Sequence, residues 1–396
     1  MSILNKKQCI RTKDHRENIE ITCIIWYRLL IISIMESEEM KRILSIFALA
    51  LMSSASHAVV NGESVNWLEH DDLVRLDSQV LNKRGQCSGT LLAGKFVLTA
   101  AHCLEKADNV DTITTATDET YTVAERIMHP NYDPVPDWNN EDIGLIRLAN
   151  LAQYTSTSRL KTLKQTPAKG YQFMVQGFGG TYDSDAPVNQ VPFTFDHAHW
   201  VYSYHWYSNQ VNEAHTTGGD SGGPWLNQNG EIVAVHKGSV LHFGSTRDDD
   251  TRETYGTDLH YARDFILDTI NGWHYPTNIV VNGQGKITLQ SLHRMGSEPD
   301  LANSYRVEGD VEILPSSSCM NTITSFSVCE LSIKSTGGTG KVYLSEDEII
   351  VVNKEIKQPT NGGVKEPQSS GSKSGGSIGF GALLMLGLLL LRRRFN

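Results

Sequence analysis

Gly218-Gly219-Asp220-Ser221-Gly222-Gly223-Pro224 is a stretch too rich in glycine to hold either a helix or a strand. It is a loop, and it presents one hydroxyl, Ser221, next to one carboxylate, Asp220. A serine hydroxyl is a poor nucleophile at neutral pH unless a base lies beside it. Glycines around it let backbone N–H groups approach a developing oxyanion. Upstream, Thr99-Ala100-Ala101-His102-Cys103 follows the apolar run Phe96-Val97-Leu98 and supplies an imidazole. Asp142-Ile143-Gly144-Leu145-Ile146-Arg147-Leu148 supplies a carboxylate at the head of a strand-like alternation. A carboxylate of this kind fixes a histidine tautomer and stabilises the imidazolium formed when the serine proton is taken.

In the order His, Asp, Ser, these segments resemble the trypsin/chymotrypsin family over about residues 59–275. The resemblance implies a mainly β protein, with two six-stranded antiparallel β-barrels and a C-terminal helix. It implies His102 as general base, Asp142 as its orienter and Ser221 as nucleophile, with the N–H groups of Gly219 and Ser221 as oxyanion hole. Cys87-Ser88-Gly89-Thr90-Leu91 matches the family strand whose cysteine bridges to the one after the histidine, which implies a Cys87–Cys103 disulfide. Gly177-Phe178-Gly179 resembles the Gly-Trp-Gly that opens the second barrel. Val59-Val60-Asn61-Gly62 resembles the mature start of these proteases, whose ammonium group inserts beside the acid preceding the nucleophile, here Asp220. No Arg or Lys precedes Val59, so the signal-peptide cut itself is the expected activating cleavage. The rival is a non-catalytic binding or adhesion protein on the same fold; such proteins usually lose a triad residue, and none is lost here.

Trypsins place an aspartate six residues before the nucleophile, whereas this chain has His215 there, and Thr217 replaces a pocket cysteine. Thr216-Thr217-Gly218-Gly219 and His236 instead resemble the pocket of bacterial glutamyl endopeptidases. A hydroxyl and an imidazole can both donate to a substrate carboxylate. An acidic residue before the scissile bond is therefore the expected preference, with an apolar or loose pocket as the alternative. Lys237 departs from the aromatic residue usual at its position. Trp225–Asn227, the Asn229-Gly230 turn and Glu231–His236 read as a hairpin presenting His236. His197 and His199 share one strand face, but no third ligand accompanies them at metal spacing, so neither metal nor cofactor is expected.

The remainder of the 396 residues divides by composition. Residues 1–39 form an upstream extension ahead of a second candidate start at Met40. Residues 40–58 read as a signal peptide: Lys41 and Arg42, an apolar run from Ile43 to Met52, then Ser56-His57-Ala58 before the cut. Arg263–Asn271 has helical spacing with Gly272 as its stop, and the protease domain, 59–276, closes there. Residues 277–356 show short β-like runs at Asn278–Val281, Lys286–Gln290, Tyr305–Ile313 and Ile349–Val352, which fit a small β-sandwich stapled by Cys319–Cys329. Residues 357–377 are a flexible linker, and 378–396 an apolar run ending in Arg392-Arg393-Arg394.

Gly375-Gly376, the apolar run and the arginines resemble the GlyGly-CTERM sorting signal of Gram-negative bacteria. That resemblance implies a rhomboid-type sortase and the type II secretion machinery as partners, and a secreted or cell-surface destination by way of the periplasm. The formal charge is −10, and losing Lys41, Arg42 and the three terminal arginines takes it to −15. So acidic a body is repelled by nucleic acid. The expected partners are protein substrates, and the expected state is a monomer.

Overall fold

The computed structural model describes residues 59–134, 140–163, 165–180, 188–242, 251–296 and 301–355. The upstream extension, the signal, the linker and the C-terminal apolar run lie outside these. A two-residue strand, β1 (Glu63–Ser64), leads into six strands: β2 (Leu73–Ser78), β3 (Lys83–Leu92), β4 (Phe96–Thr99), β5 (Thr112–Thr114), β6 (Thr120–Met128) and β7 (Gly144–Leu148). They close an antiparallel barrel in the order β2-β3-β4-β7-β6-β5, sealed by the β5–β2 pairing. Val74, Leu76, Leu91, Val97, Leu98, Ile113, Leu145 and Ile146 fill it. In β7, Leu145 and Ile146 are both buried while Arg147 turns outward to Glu125, 2.6 Å away.

The second barrel uses β8 (Gln172–Gly177), β9 (Asn189–Ala198), β10 (His205–Gln210), β11 (Pro224–Leu226), β12 (Ile232–His242) and β13 (Thr251–Asp258). Its order is β9-β10-β13-β12-β11-β8, closed by β8–β9, with β1 added on the edge of β9. The β11–β12 pairing is the hairpin expected at Asn229-Gly230. Stacked aromatics dominate this core, with Phe173 and Trp206 at 5.7 Å and Phe173 and Trp225 at 5.4 Å. The two-barrel mainly β fold expected from the motifs is the one observed.

Helix α1 (Leu259–Ile270) follows the second barrel. It begins before the expected Arg263, because Asp258 caps it by accepting the backbone N–H of His260. It ends on Asn271, which adopts the left-handed conformation (φ 42°), a role asparagine tolerates better than most residues. The expected stop, Gly272, instead opens a strand. A side chain there would meet Glu348 Oε1 at 2.3 Å and push it off its bond to the Trp273 N–H.

Two four-stranded sheets then enclose a separate core. One runs β14 (Gly272–His274), β16 (Gly283–Leu292), β19 (Val328–Ser335), β18 (Glu312–Ile313); the other runs β15 (Asn278–Ile279), β21 (Ile349–Val352), β20 (Gly340–Tyr343), β17 (Arg306–Gly309). Ile287, Leu289, Leu331, Ile333, Val342 and Ile350 pack between them. The run Tyr305–Ile313, read as one strand, splits into two strands on opposite sheets, with Gly309 at positive φ at the break. β15 pairs with β21 in parallel. Cys319–Cys329 forms as expected.

Candidate active site

The register of the first barrel carries His102 and Asp142 to one rim. β4 and β7 are antiparallel neighbours that pair Thr99 with Gly144. A 3-10 turn, Ala101–Leu104, leaves the end of β4, and Asp142 stands two residues before the start of β7. Asp142 is fully buried and accepts two hydrogen bonds from one residue: the His102 backbone N–H at 2.9 Å and ring Nδ1–H at 2.7 Å. Burial alone would raise the Asp142 carboxyl, but the adjoining His102 charge and hydrogen bonds outweigh it and hold the carboxyl below its usual range. Burial likewise opposes charge on His102, yet Asp142 prevails and raises the imidazole above 6.5. With the Nδ1 proton committed to Asp142, Nε2 is left as the basic atom.

The Ser221 loop is clamped onto the first barrel. The Ser88 N–H donates to the Ser221 carbonyl at 2.8 Å, and the Ser221 carbonyl lies 3.9 Å from Cys103 Sγ, next in chain to His102. Gly222 has φ 84°, and any side chain there would meet Thr99 Oγ1 at 2.1 Å. Close approach therefore demands glycine after the serine. Ser221 Oγ itself donates a long bond, 3.4 Å, to the Lys237 carbonyl.

Ser88 joins the site although its motif, Cys87–Leu91, assigns it no role. Its buried hydroxyl donates to the Gly219 carbonyl at 2.8 Å and accepts the Phe178 N–H at 3.0 Å. One side chain of the first barrel thus orients a peptide of the oxyanion loop. Its sequence signal is no more than its place after Cys87. Cys87 is bonded to Cys103, which ties β3 to the His102 turn. The two sulfurs also lie close to His102, but each is committed to the other and neither is free to ligate.

Asp220 is fully buried, accepting the Gly179 N–H at 2.7 Å and the Thr217 N–H at 2.8 Å. Burial pushes its carboxyl up to about 7 despite those two bonds. Val59 lies close: it is buried in the second-barrel core, and its N–H donates to the Gly179 carbonyl at 3.0 Å.

Of the expected pocket residues, His215 bridges to Val60 and its Nδ1 faces the Glu213 carbonyl at 3.1 Å. Thr216 is fully buried, and its hydroxyl has no hydrogen-bond partner among the described residues. His236 is buried against Trp225, whose indole N–H donates to its Nδ1 at 3.3 Å. Burial first, then the nearby His102 charge, depress His236 to about 3, so it is a neutral ring. His197 pairs with Asp196 at 2.8 Å and stacks on Tyr207. A cavity of about 260 Å³ lies over the dyad, lined by His102, Glu105, Tyr132, Lys237 and Tyr255.

Residues 73–265 match the family model described as Trypsin. The chain carries a trypsin-family domain. The snake venom serine protease 3 of Protobothrops jerdonii is 29% identical to it over 217 residues, covering 48% of this chain and 81% of the relative. The phenoloxidase-activating enzyme of Bombyx mori is 30% identical over 149 residues, covering 30% of this chain and 33% of its own, so the chain spans about a third of that relative. Among solved structures, the VesB protease of Vibrio cholerae aligns with 74% of this chain and 98% of its own, at 18% identity and a TM-score of 0.42.

Proposed function

We propose that the protein is a secreted serine endopeptidase that hydrolyses peptide bonds through an acyl-enzyme. The observation carrying this reading is the buried Asp142 gripping both the backbone and the ring of His102. That grip leaves Nε2 free to take a proton. Ser221 Oγ turns from the Lys237 carbonyl toward His102, loses its proton to Nε2 and attacks the substrate carbonyl. The oxyanion forms against the N–H groups of Gly219 and Ser221. His102 then returns the proton to the leaving amine, and water repeats the sequence to release the acid. Casein hydrolysis by Ser221→Ala should fall about a thousandfold or more against the intact protein. Equal activity in the two would overturn the assignment.

The enzyme prefers an acidic residue before the scissile bond. Support comes from the partnerless buried hydroxyl of Thr216, with His215 in place of the aspartate that selects basic residues. Activation follows when the signal peptide leaves Val59 as the new terminus. Val59 is β-branched yet has φ 45°, a costly conformation relieved when the preceding peptide bond is cut. Its ammonium would then give the buried Asp220 a charged partner. The tail is removed near Gly375-Gly376 by a rhomboid-type sortase after type II export. Mass spectrometry of the exported protein should find Val59 at one end and the arginines missing from the other. A retained tail would refute the sorting step.

A further inference from the structure

Thr216 lies beside a sheet face set by cross-strand register. β10, β13 and β12 lie side by side, with Ser208 opposite Thr254 and Thr254 opposite Ser239. Opposed residues share a face, and alternate residues along a strand return to it. Arg252 therefore joins the face of Thr254, while Glu253 and Tyr255 project from the other. Their partners agree with this: Glu253 meets His242 at 3.5 Å, and Tyr255 packs on His205 at 5.4 Å.

On the face of Thr254, Ser239 Oγ donates to the Thr216 carbonyl at 3.3 Å and receives Arg252 Nη1–H at 3.4 Å. The hydroxyls of Ser208, Thr216 and Thr254 are buried with no hydrogen-bond partner among the described residues. Native interiors rarely leave buried polar groups unpaired. Ser208 and Thr254 are cross-strand neighbours, and Ser239 links them to Thr216. Arg252, partly buried beside them, makes no ion pair among the described residues, where its guanidinium is engaged by one long bond to Ser239; a guanidinium carries five N–H groups.

We propose that Arg252 is the counter-charge of the primary specificity pocket, receiving the carboxylate of a Glu or Asp side chain with the Thr216, Ser208 and Thr254 hydroxyls around it. This rests on the endopeptidase reading above and moves the charge away from the expected histidines. His236 is locked under Trp225 as a neutral ring. His215 lies below 6.5, through its burial first and, against the opposing Glu213 carbonyl, the Arg252 charge. Neither is a cation at neutral pH, whereas a guanidinium stays charged and matches a carboxylate geometrically.

The test compares paired peptides that differ in Glu versus Gln before the scissile bond, with the exported protein and three variants at neutral pH. The intact enzyme should favour Glu in kcat/KM by about tenfold or more, the yield of one charge-assisted contact. Arg252→Gln should bring the ratio to within about twofold, Arg252→Lys should keep part of it, and Arg252→Glu should move preference to a Lys or Arg peptide. Fluorophosphonate labelling of Ser221 in each variant reports the active centre separately. Loss of labelling in the intact protein overturns the hydrolase reading. A labelled enzyme that ignores Glu overturns the acidic preference and the role of Arg252 with it, and an Arg252→Gln variant that keeps its ratio overturns the role of Arg252 alone.

Discussion

Lys237 sets its ammonium against Asn140 Oδ1 at 2.7 Å, on the wall of the cleft that holds His102. Its charge pulls the His102 imidazole down, against the stronger upward pull of Asp142. His102 acts as a base when neutral, so kcat/KM should rise with pH through a midpoint above 6.5. Removing a neighbouring cation favours the imidazolium and raises that midpoint. Lys237→Met should therefore shift the acid limb of the pH–rate profile upward; a downward shift would contradict the assignment. Ser88 is a positioning residue at the same scale. Ser88→Ala removes a bond to the Gly219 carbonyl and leaves the Phe178 N–H buried without it. The expected result is roughly a tenfold fall in kcat with KM little changed, because the Gly219–Asp220 peptide it holds lies between the two N–H groups that meet charge developed in the transition state. Partial recovery in Ser88→Thr would separate this from simple loss of packing, as would an unchanged pH midpoint.

At the scale of elements, short strands do their work by pairing across sequence. β4 and β7 are four and five residues long, too short to persist alone. Their register nevertheless decides that residues 40 apart meet at 2.7 Å. The sandwich has an equally local staple, Cys319–Cys329, which joins the 3-10 turn Ser318–Met320 to β19 across ten residues. Closing a loop of that size restrains the unfolded chain by about 2–3 kcal/mol. Replacing both cysteines by serine should lower the denaturation free energy of the sandwich by that amount. The same change should leave Ser221 labelling intact under native conditions, since the staple touches nothing in the active centre.

Across the whole molecule, the barrels and the sandwich share buried hydrogen bonds rather than a loose linker. Gln290 Oε1 accepts the Leu160 N–H at 2.9 Å, and its Nε2–H donates back to the Leu160 carbonyl at 2.7 Å. His274 Nδ1 accepts the Ala93 N–H at 3.2 Å while its Nε2–H faces the Ser158 carbonyl at the same distance. Tyr154 N–H reaches Thr277 Oγ1 at 2.9 Å. Side chains of the sandwich thus satisfy backbone groups of the segment joining the barrels and of the β3–β4 turn. Gln290→Leu keeps the volume and strands both groups of Leu160 in an apolar seam. Its expected cost is about 2–5 kcal/mol in chemical denaturation, from those two groups and the Phe326 carbonyl that Gln290 Nε2–H also serves at 3.1 Å. A cost below about 0.5 kcal/mol would mean that the seam is wet. Burial pushes His274 down to about 4. A histidine lowered this way contributes stability above pH 6.5 that is lost as pH falls toward 4, so the seam should weaken in acid.

The sequence alone carried the glycine loop, the histidine and aspartate segments, the Cys319–Cys329 staple and the presence of a second β module, which are local features. The two-barrel fold and Cys87–Cys103 came as what the resemblance of those motifs implies. The sequence did not show that Asn271 rather than Gly272 would end the helix, because the side chain that crowds position 272 is Glu348, 76 positions away. Nor could it show Ser88 reaching Gly219 across 131 positions, the division of Tyr305–Ile313 between two sheets, or Arg252 arriving beside Ser239 and Thr216. Alternation tells which face a side chain takes, but strand register alone decides what stands across from it. That register is set by closure of the barrels, where many weak contacts between distant segments are satisfied together.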